Sequence, residues 1–272
     1  MVEQQENLIE KVCNECGGLQ KYKIIQVGKK NIELISKRCK CLEDKERLLE
    51  DKRRIEEEKR IQRENEEYIQ HLKRKCMMDI KFKNSTFLNW NKTNNSKKVI
   101  NICKSYFINF DINYDENIGM FLTGGVGIGK TYAVSSLANE LMNKGTGVIC
   151  TSINKLLRGI KNNYSKGISE DIILNDISSV PLLILDDLGT EQNTEWFTTM
   201  FYEIIDTRYR TNKPLIITSN LTIEQIENRY HKRINSRIFE MCVPVECGHG
   251  DTREIQSEKK LKKLALELQE QI

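Results

Sequence analysis

A chain of 272 residues with 39% hydrophobic content can bury one sizeable core with a smaller module beside it, which excludes an intrinsically disordered chain. The formal net charge of +4 is small where 30% of residues are charged, so bulk charge does not announce a nucleic-acid binder and any DNA contact must be local. No apolar run approaches the roughly 18 residues that span a bilayer, and Met1 to Glu10 is acidic, so the expected localisation is cytoplasmic. The nine cysteines form an odd set, and Cys103, Cys150 and Cys242 sit in helix- or strand-like contexts, which fits reduced thiols better than a disulfide framework.

Residues 1 to 41 carry Cys13-x-x-Cys16 and Cys39-x-Cys41 on either side of an alternating stretch. Tyr22, Ile24 and Val27, the turn Gly28 to Asn31, then Ile32 and Leu34 read as a hairpin. A hairpin returns its end to its start, so four thiolates would meet around one tetrahedral zinc. Gly17 and Gly18 permit the tight turn that lets backbone amides face the sulfurs. So short a segment holds little apolar surface, whereas metal binding is itself folding energy. The alternatives are four unliganded cysteines in a flexible arm, or a redox pair.

Residues 42 to 78 are dominated by Glu, Lys and Arg without Pro or Gly, and opposite charges fall three or four apart, as on a solvated helix. Leu48, Ile55, Ile69 and Cys76 keep a seven-residue register, but Gln62 interrupts it and the companion positions are mostly charged. This predicts a lone helical linker, holding the first module away from the rest, rather than a coiled coil.

From residue 79, strand and helix patterns alternate, the signature of an α/β domain whose five-stranded parallel sheet is flanked by helices. The expected strands are Gly119 to Thr123, Val148 to Thr151, Leu182 to Leu185, Leu215 to Ser219 and Cys242 to Glu246. The three prolines, Pro181, Pro214 and Pro244, lie at or near strands, the first two just before a strand begins.

The first of these strands runs into Gly124-Gly125-Val126-Gly127-Ile128-Gly129-Lys130-Thr131-Tyr132 and then a helical pattern, which satisfies G-x-x-x-x-G-K-[ST] in its strand-to-helix setting. Backbone amides of such a loop wrap phosphates at a helix N-terminus, Lys130 reaches the β- and γ-phosphates of ATP, and Thr131 offers its hydroxyl to Mg²⁺. The apolar strand Leu182 to Leu185 ends in Asp186-Asp187, the form of a Walker B element. Asp186 is expected to hold Mg²⁺ and Asp187 to orient or deprotonate the attacking water; the plainer alternative is a helix cap.

With GGVGIGKT, LLILDDLG, PLIITSNL, RINSRIFEM and GDTRE in place, the sequence resembles the AAA+ ATPases of the DnaC, DnaI and IstB group over roughly residues 80 to 255. The cysteine arrangement is also similar to zinc modules among these relatives. The resemblance implies that Asn220 senses the γ-phosphate, the plainer alternative being a helix cap before Thr222, and that Arg237 is an arginine finger acting in a neighbouring subunit, with Arg233 one turn earlier, the plainer alternative for both arginines being a solvated basic face. Arg253 matches an arginine after the last strand. Asp187 stands where AAA+ proteins more commonly carry Glu. In Ile153 to Val180, Lys155, Arg158, Lys161, Tyr164 and Lys166 make a basic and aromatic mixture suited to single-stranded DNA, but Glu170, Asp171 and Asp176 follow, as on a mixed solvated helix pair.

The expected organisation is a zinc-binding, helicase-interacting module over 1–41, a charged helical linker over 42–78, an AAA+ domain over 79–255 and a C-terminal helix over 256–272, where Leu261, Leu264, Leu268 and Ile272 keep helical spacing. The resemblance implies an ATP-dependent protein that loads a hexameric replicative helicase onto single-stranded DNA and oligomerises with ATP. The alternatives are an IstB-like transposition helper and a nucleotide-switched adaptor that does not hydrolyse.

Overall fold

The computed structural model describes residues 8–27, 30–90, 97–165 and 171–248. The chain falls into two compact units, Met1–Glu66 and Glu67–Ile272. The C-terminal helix expected over 256–272, Arg253, Lys166 and Glu170 lie outside the described residues, as do Gly28 and Lys29 of the expected turn.

In the first unit, β1 (Leu8–Val12), β2 (Leu19–Val27) and β3 (Lys30–Lys37) form an antiparallel sheet in the order β1-β2-β3. The hairpin read from the sequence is β2–β3, and its register carries Lys37 back opposite Lys21 near the start of β2. Strand β1 is an addition: its Leu-Ile-Glu-Lys-Val run alternates too poorly to announce itself, and pairing with β2 supplies its backbone partners. Helix α1 (Lys40–Lys75) follows directly and takes Cys41 into its first turn. Asp51 and Arg54, Arg54 and Glu58, Glu57 and Arg60, and Arg60 and Glu64 pair along it, all well exposed. Leu48 and Ile55 are also exposed. The division between the two units falls inside this helix.

The second unit is built on a parallel sheet ordered β5-β6-β7-β4-β8, comprising β4 (Gly119–Thr123), β5 (Val148–Ser152), β6 (Leu182–Leu188), β7 (Leu215–Ser219) and β8 (Cys242–Glu246). Alternate side chains of one strand serve opposite faces. Phe121, Leu183, Leu185, Leu215 and Ile217 join a core with α5 (Ile153–Ser165), α7 (Glu195–Arg210) and α9 (Lys232–Met241). Met120, Leu122, Leu182, Ile184 and Ile216 join a second core with α2 (Lys97–Ile108) and α4 (Lys130–Asn143). Burial on both faces is why these strands read as continuous apolar runs. The short helices α3 (Phe110–Asp115), α6 (Asp171–Ser179) and α8 (Ile223–Arg229) complete the layers. Among the described residues, no helix is long and apolar enough to cross a membrane.

Cys76, Cys103, Cys150, Cys242 and Cys247 are buried in this unit, and burial pushes every one of these thiols above its ordinary pKa, as expected of inert packing residues.

Arg208 of α7 is fully buried and has become a structural clamp. Its guanidinium donates to the carbonyl oxygens of Ile177 (2.8 Å), Val180 (2.8 Å), Pro181 (3.1 Å) and Pro214 (2.6 Å), gathering the ends of the segments that lead into β6 and β7. Burial draws its pKa down to about 10, so the charge persists at neutral pH. Arg208→Met keeps the volume but strands four carbonyls, and should lower unfolding free energy by roughly 3–5 kcal/mol in urea titration, against a near-neutral Arg210→Met on the exposed face.

Candidate functional site

Strand β4 has β7 on one side and β8 on the other, while its sequence successor β5 lies at the far edge beyond β6. Such a switch point opens a crevice at the carboxyl ends of the strands, and the three candidate nucleotide motifs leave β4, β6 and β7 at that end. Gly125, Val126, Gly127, Ile128 and Gly129 carry the chain from β4 to α4, whose first residue is Lys130. Gly129 has φ +94°, and a Cβ there would collide with the Trp90 ring, so glycine is required twice over. The Gly125 amide donates to the Gly248 carbonyl at 3.0 Å, tying the chain after β8 to the loop.

A cavity of about 350 Å³ opens beside this loop, lined by Gly127, Gly129, Lys130, Thr131 and Tyr132 together with Asp187, Thr218 and Asn220. Lys130 is 6% exposed, and its ammonium donates to the carbonyls of Gly124 (2.7 Å) and Gly125 (2.9 Å) and to Asn220 Oδ1 (2.8 Å). The Asn220 amide nitrogen donates in turn to Asp187 Oδ1 at 3.0 Å. One asparagine therefore bridges the cation of the phosphate loop and the second carboxylate of β6. The alternative role of Asn220 as a helix cap is taken by Thr222, which forms a capping box with Gln225 on α8.

The two carboxylates are treated differently. Asp186 accepts from the Thr218 hydroxyl at 2.6 Å, and Thr131 also hydrogen-bonds it, yet burial outweighs these bonds and raises its pKa above the ordinary aspartate value. Asp187 sits at φ +60°, where its amide donates to Thr218 Oγ1 (2.9 Å) and the β6–β7 register shifts before Leu188. That left-handed residue turns the second carboxylate out of the strand's alternation and toward the cavity.

Arg237 is elsewhere. It forms an ion pair with Asp206 at 2.6 Å and lies over the rings of Tyr202 (4.7 Å) and Tyr209 (5.3 Å) on the α7–α9 face. Together with Arg233, Lys232, Ser236 and Glu240 it lines a separate open concavity of about 520 Å³, which shares no residue with the nucleotide cavity.

Several neighbours of the cavity escaped the sequence reading. Lys81 and Phe82 line it from a short 3₁₀ turn, Ile80–Phe82. Asn139 of α4 donates to the carbonyls of Phe82 (3.0 Å) and Ser85 (2.8 Å), and Tyr132 packs edge-on against Trp90 at 4.8 Å. The clustering of Phe82, Phe87 and Trp90 ahead of the loop was the available signal. In the basic segment, Arg158 and Lys161 are exposed on α5, but Lys155 is paired with Asp79 at 2.8 Å and Asp176 of α6 with Lys75 at 3.6 Å. The side chain of Tyr164 lies outside the described residues.

In the first unit, the sulfurs of Cys13, Cys16, Cys39 and Cys41 lie within 4.8 Å of one another, with Cys13–Cys41 at 3.5 Å and Cys39–Cys41 at 3.2 Å. Zinc–sulfur bonds of about 2.3 Å at tetrahedral angles put sulfurs about 3.8 Å apart, so this donor set fits one zinc ion. Backbone amides of Glu15 and Cys16 face Cys13, and Gln20 Nε2 donates to Cys39 at 3.0 Å. Hydrogen bonds from Cys41 and Gln20 lower the Cys39 thiol to about 6, while Cys41 is pushed up by its crowded neighbours. As thiolates, these four sulfurs could hold a zinc ion whose charge would offset theirs.

The raised pKa of Asp186 makes stability depend on pH. The folded state holds the proton more tightly than the unfolded chain, so stability is lost as pH rises from the ordinary aspartate value, 3.8, through the folded value. In chelator, Asp186→Asn should melt higher than the parent at neutral pH and show a flatter profile as pH rises above the ordinary aspartate value in differential scanning calorimetry.

Comparison with known proteins places this architecture. A family model described as IstB-like ATP binding protein matches residues 25–242. The replicative helicase loader DnaC of Escherichia coli (strain K12) is 27% identical over 127 residues, 46% of this chain and 52% of that protein. The replicative helicase loader DnaI of Bacillus subtilis (strain 168) is 27% identical over 113 residues, 41% of this chain and 36% of that one. The chain thus spans about half the length of the DnaC relative and less of DnaI. Crystal structures of the DnaC helicase loader and of DnaI each superpose with TM-score 0.54 at 25% identity, over 62% of this chain and 99% and 94% of those chains. The replication initiator DnaA bound to AMPPCP and single-stranded DNA superposes with TM-score 0.54 at 26% identity, over 68% of this chain and 56% of that one. The chain belongs to the IstB-like ATP-binding proteins, AAA+ proteins related to the DnaC and DnaI helicase loaders.

Proposed function

We propose that this protein hydrolyses ATP at a site shared between two copies and uses that cycle to load a hexameric replicative helicase onto single-stranded DNA. The observation that carries the reading is the separation of parts: Lys130, Asp187 and Asn220 converge on one cavity, while Arg237 faces a different one. A site that needs all four is complete only when a second copy brings its α9 to the first.

The division of labour follows from the chemistry. Amides of the loop and the Lys130 ammonium bind the phosphates, exchanging contacts to Gly124, Gly125 and Asn220 for contacts to ATP. Thr131 and Asp186 would hold Mg²⁺, which neutralises charge on the β- and γ-phosphates. Asp187, aimed by Asn220, aligns the attacking water and takes up its proton. Water adds to the γ-phosphorus as its bond to the bridging oxygen breaks, giving ADP and phosphate, while Arg237 of the neighbouring copy meets the developing charge. Aspartate is shorter than the commoner glutamate, so its aim depends on the φ +60° backbone that carries it.

The relation to proteins named replicative helicase loaders supports the biological assignment. The four-cysteine module is read as a zinc-stabilised arm that grips the helicase, and exposed Arg158 and Lys161 as contacts to single-stranded DNA. The IstB-like family description favours one second reading, a transposition helper that assembles on duplex DNA.

In steady-state assays with single-stranded DNA, Arg237→Ala should retain ATP binding but lose about 10³-fold in kcat, whereas Lys130→Ala should lose binding itself. Mixing the two variants should restore activity, because intact sites form where one copy lends Arg237 to another. An Arg237→Ala enzyme as fast as the parent would overturn the shared site. The full-length protein should co-purify with a purified hexameric replicative helicase and carry about one zinc per chain by elemental analysis, and Cys39→Ser/Cys41→Ser should lose both. Failure to retain any such helicase, with ATP-dependent filaments on duplex DNA instead, would select the transposition reading. Phosphate release that is negligible and equal for the parent and Asp187→Asn would select a nucleotide-switched adaptor.

A further inference from the structure

A third carboxylate lies just beyond Asp186 and Asp187 and takes no part in the reaction described above. Glu191 is 5% exposed, in the segment that joins β6 to α7. Its Oε2 accepts the Gly189 amide at 2.8 Å, two residues past Asp187. Its Oε1 accepts Arg229 Nε at 3.2 Å and the Tyr230 hydroxyl, and Arg229 also donates through Nη2 to the Glu191 carbonyl. Arg229 ends α8, and Tyr230 leads into α9. Asn235 of α9, itself buried, donates to the Tyr230 carbonyl at 2.9 Å and to that of Glu227 at 3.0 Å, and stands two residues before Arg237.

The same segment sets the other wall of the arginine's cradle. Asn193 Nδ2 donates to the Arg229 carbonyl at 3.4 Å and its Oδ1 accepts from Thr198, while Thr194 caps α7 through the Phe197 amide. Tyr202, Asp206 and Tyr209, the residues that hold Arg237, are on α7. Gly189 has φ +103°, the left-handed region that favours glycine, and a Cβ there would meet Leu221 Cδ1 at 2.5 Å.

An ion pair between a buried carboxylate and a partly exposed arginine is weak as a stabilising device, since an apolar cluster of the same volume holds a fold as well. What it supplies is a fixed geometry between the elements it joins. Here those elements are the exit of β6, carrying this copy's own hydrolytic aspartate, and the turn that orients the helix carrying Arg237.

We infer that Glu191, through Arg229 and Tyr230, is a positioning residue that fixes the pose in which α9 offers Arg237 to a second copy's bound nucleotide. The inference rests on the shared-site reading. It makes the loop after each copy's own Asp187 a determinant of the catalysis performed next door.

The mixed-variant assay tests it, because it separates the copy that lends the arginine from the copy that holds ATP. Lys130→Ala protein lends Arg237 and Arg237→Ala protein holds nucleotide. Glu191→Gln, placed only in the lending chain, keeps the shape and loses the charge opposite Arg229; the restored kcat should fall about tenfold with KM for ATP within about twofold. Glu191→Ala in the same chain should fall at least as far, and Arg229→Lys, which keeps a cation against Glu191, should retain more activity than Arg229→Gln. If the alanine variant does not fold by circular dichroism, the isosteric glutamine decides. Restored activity unchanged by Glu191→Gln in a folded lending chain overturns the positioning role. Absence of any restored activity between Lys130→Ala and Arg237→Ala instead removes the shared-site reading on which it stands.

Discussion

The parallel pairing of β4 with β7, and of β7 with β6, is the constraint on which the nucleotide end depends. Register sets Thr123 opposite Ser219 and, past the irregularity at Asp187, Leu188 opposite Ser219. Three loops distant in sequence therefore leave the sheet side by side. Once they do, a buried ammonium and two carboxylates share a small volume, and neither sign of charge is tolerable there alone. Lys130 is satisfied by two carbonyls and Asn220, Asp187 by Asn220, and Asp186 by Thr218. Asn220 offers the cation an acceptor and the anion a donor from two separate atoms, Oδ1 and Nδ2, which a leucine at the end of β7 could not do and a serine could do only through one shared oxygen.

Asp186 and Asp187 show how a strand can deliver two adjacent carboxylates to one site. In regular pleat, neighbours point to opposite faces. The left-handed backbone at Asp187 breaks the alternation, and the strand resumes at Leu188, which is buried again. The cost of that conformation, roughly 1–3 kcal/mol, is offset by the bond from the Asp187 amide to Thr218 and by the core contact of Leu188.

The central sheet was legible because burial on both faces writes a strand as an uninterrupted apolar run, as in Met120 to Leu122, Leu182 to Leu185 and Leu215 to Ile217. The phosphate loop was legible because its glycines and lysine are dictated by backbone geometry and charge rather than by packing. The thiols of Cys13, Cys16, Cys39 and Cys41 were placed together by the hairpin alone, since an antiparallel pair must return its end to its start. What the sequence hid were features whose meaning exists only in three dimensions. Strand β1 has no apolar face of its own. Phe82 and Trp90 belong to a segment without periodicity and acquire their position from Asn139, Tyr132 and Gly129. Glu191 looks like one more surface acid in Gly189-Thr190-Glu191-Gln192 until Arg229 and Tyr230, nearly forty residues on, are folded against it.

The basic side chains divide by the same logic. Arg208 is fully buried and spent on carbonyls, and Arg229 is locked to the Glu191 carboxylate and carbonyl, whereas Lys155 meets Asp79 at the surface. Arg237 is held differently: one carboxylate and two aromatic faces keep it oriented while it still lines an open concavity. A guanidinium over a tyrosine ring keeps its N–H groups in its own plane, where those not paired with Asp206 can meet a planar or tetrahedral anion, whereas a lysine there has a single charged nitrogen. A cation restrained at the rim of an open concavity, on a face separate from its own copy's phosphate loop, is what the proposed shared site would need from the copy that lends it.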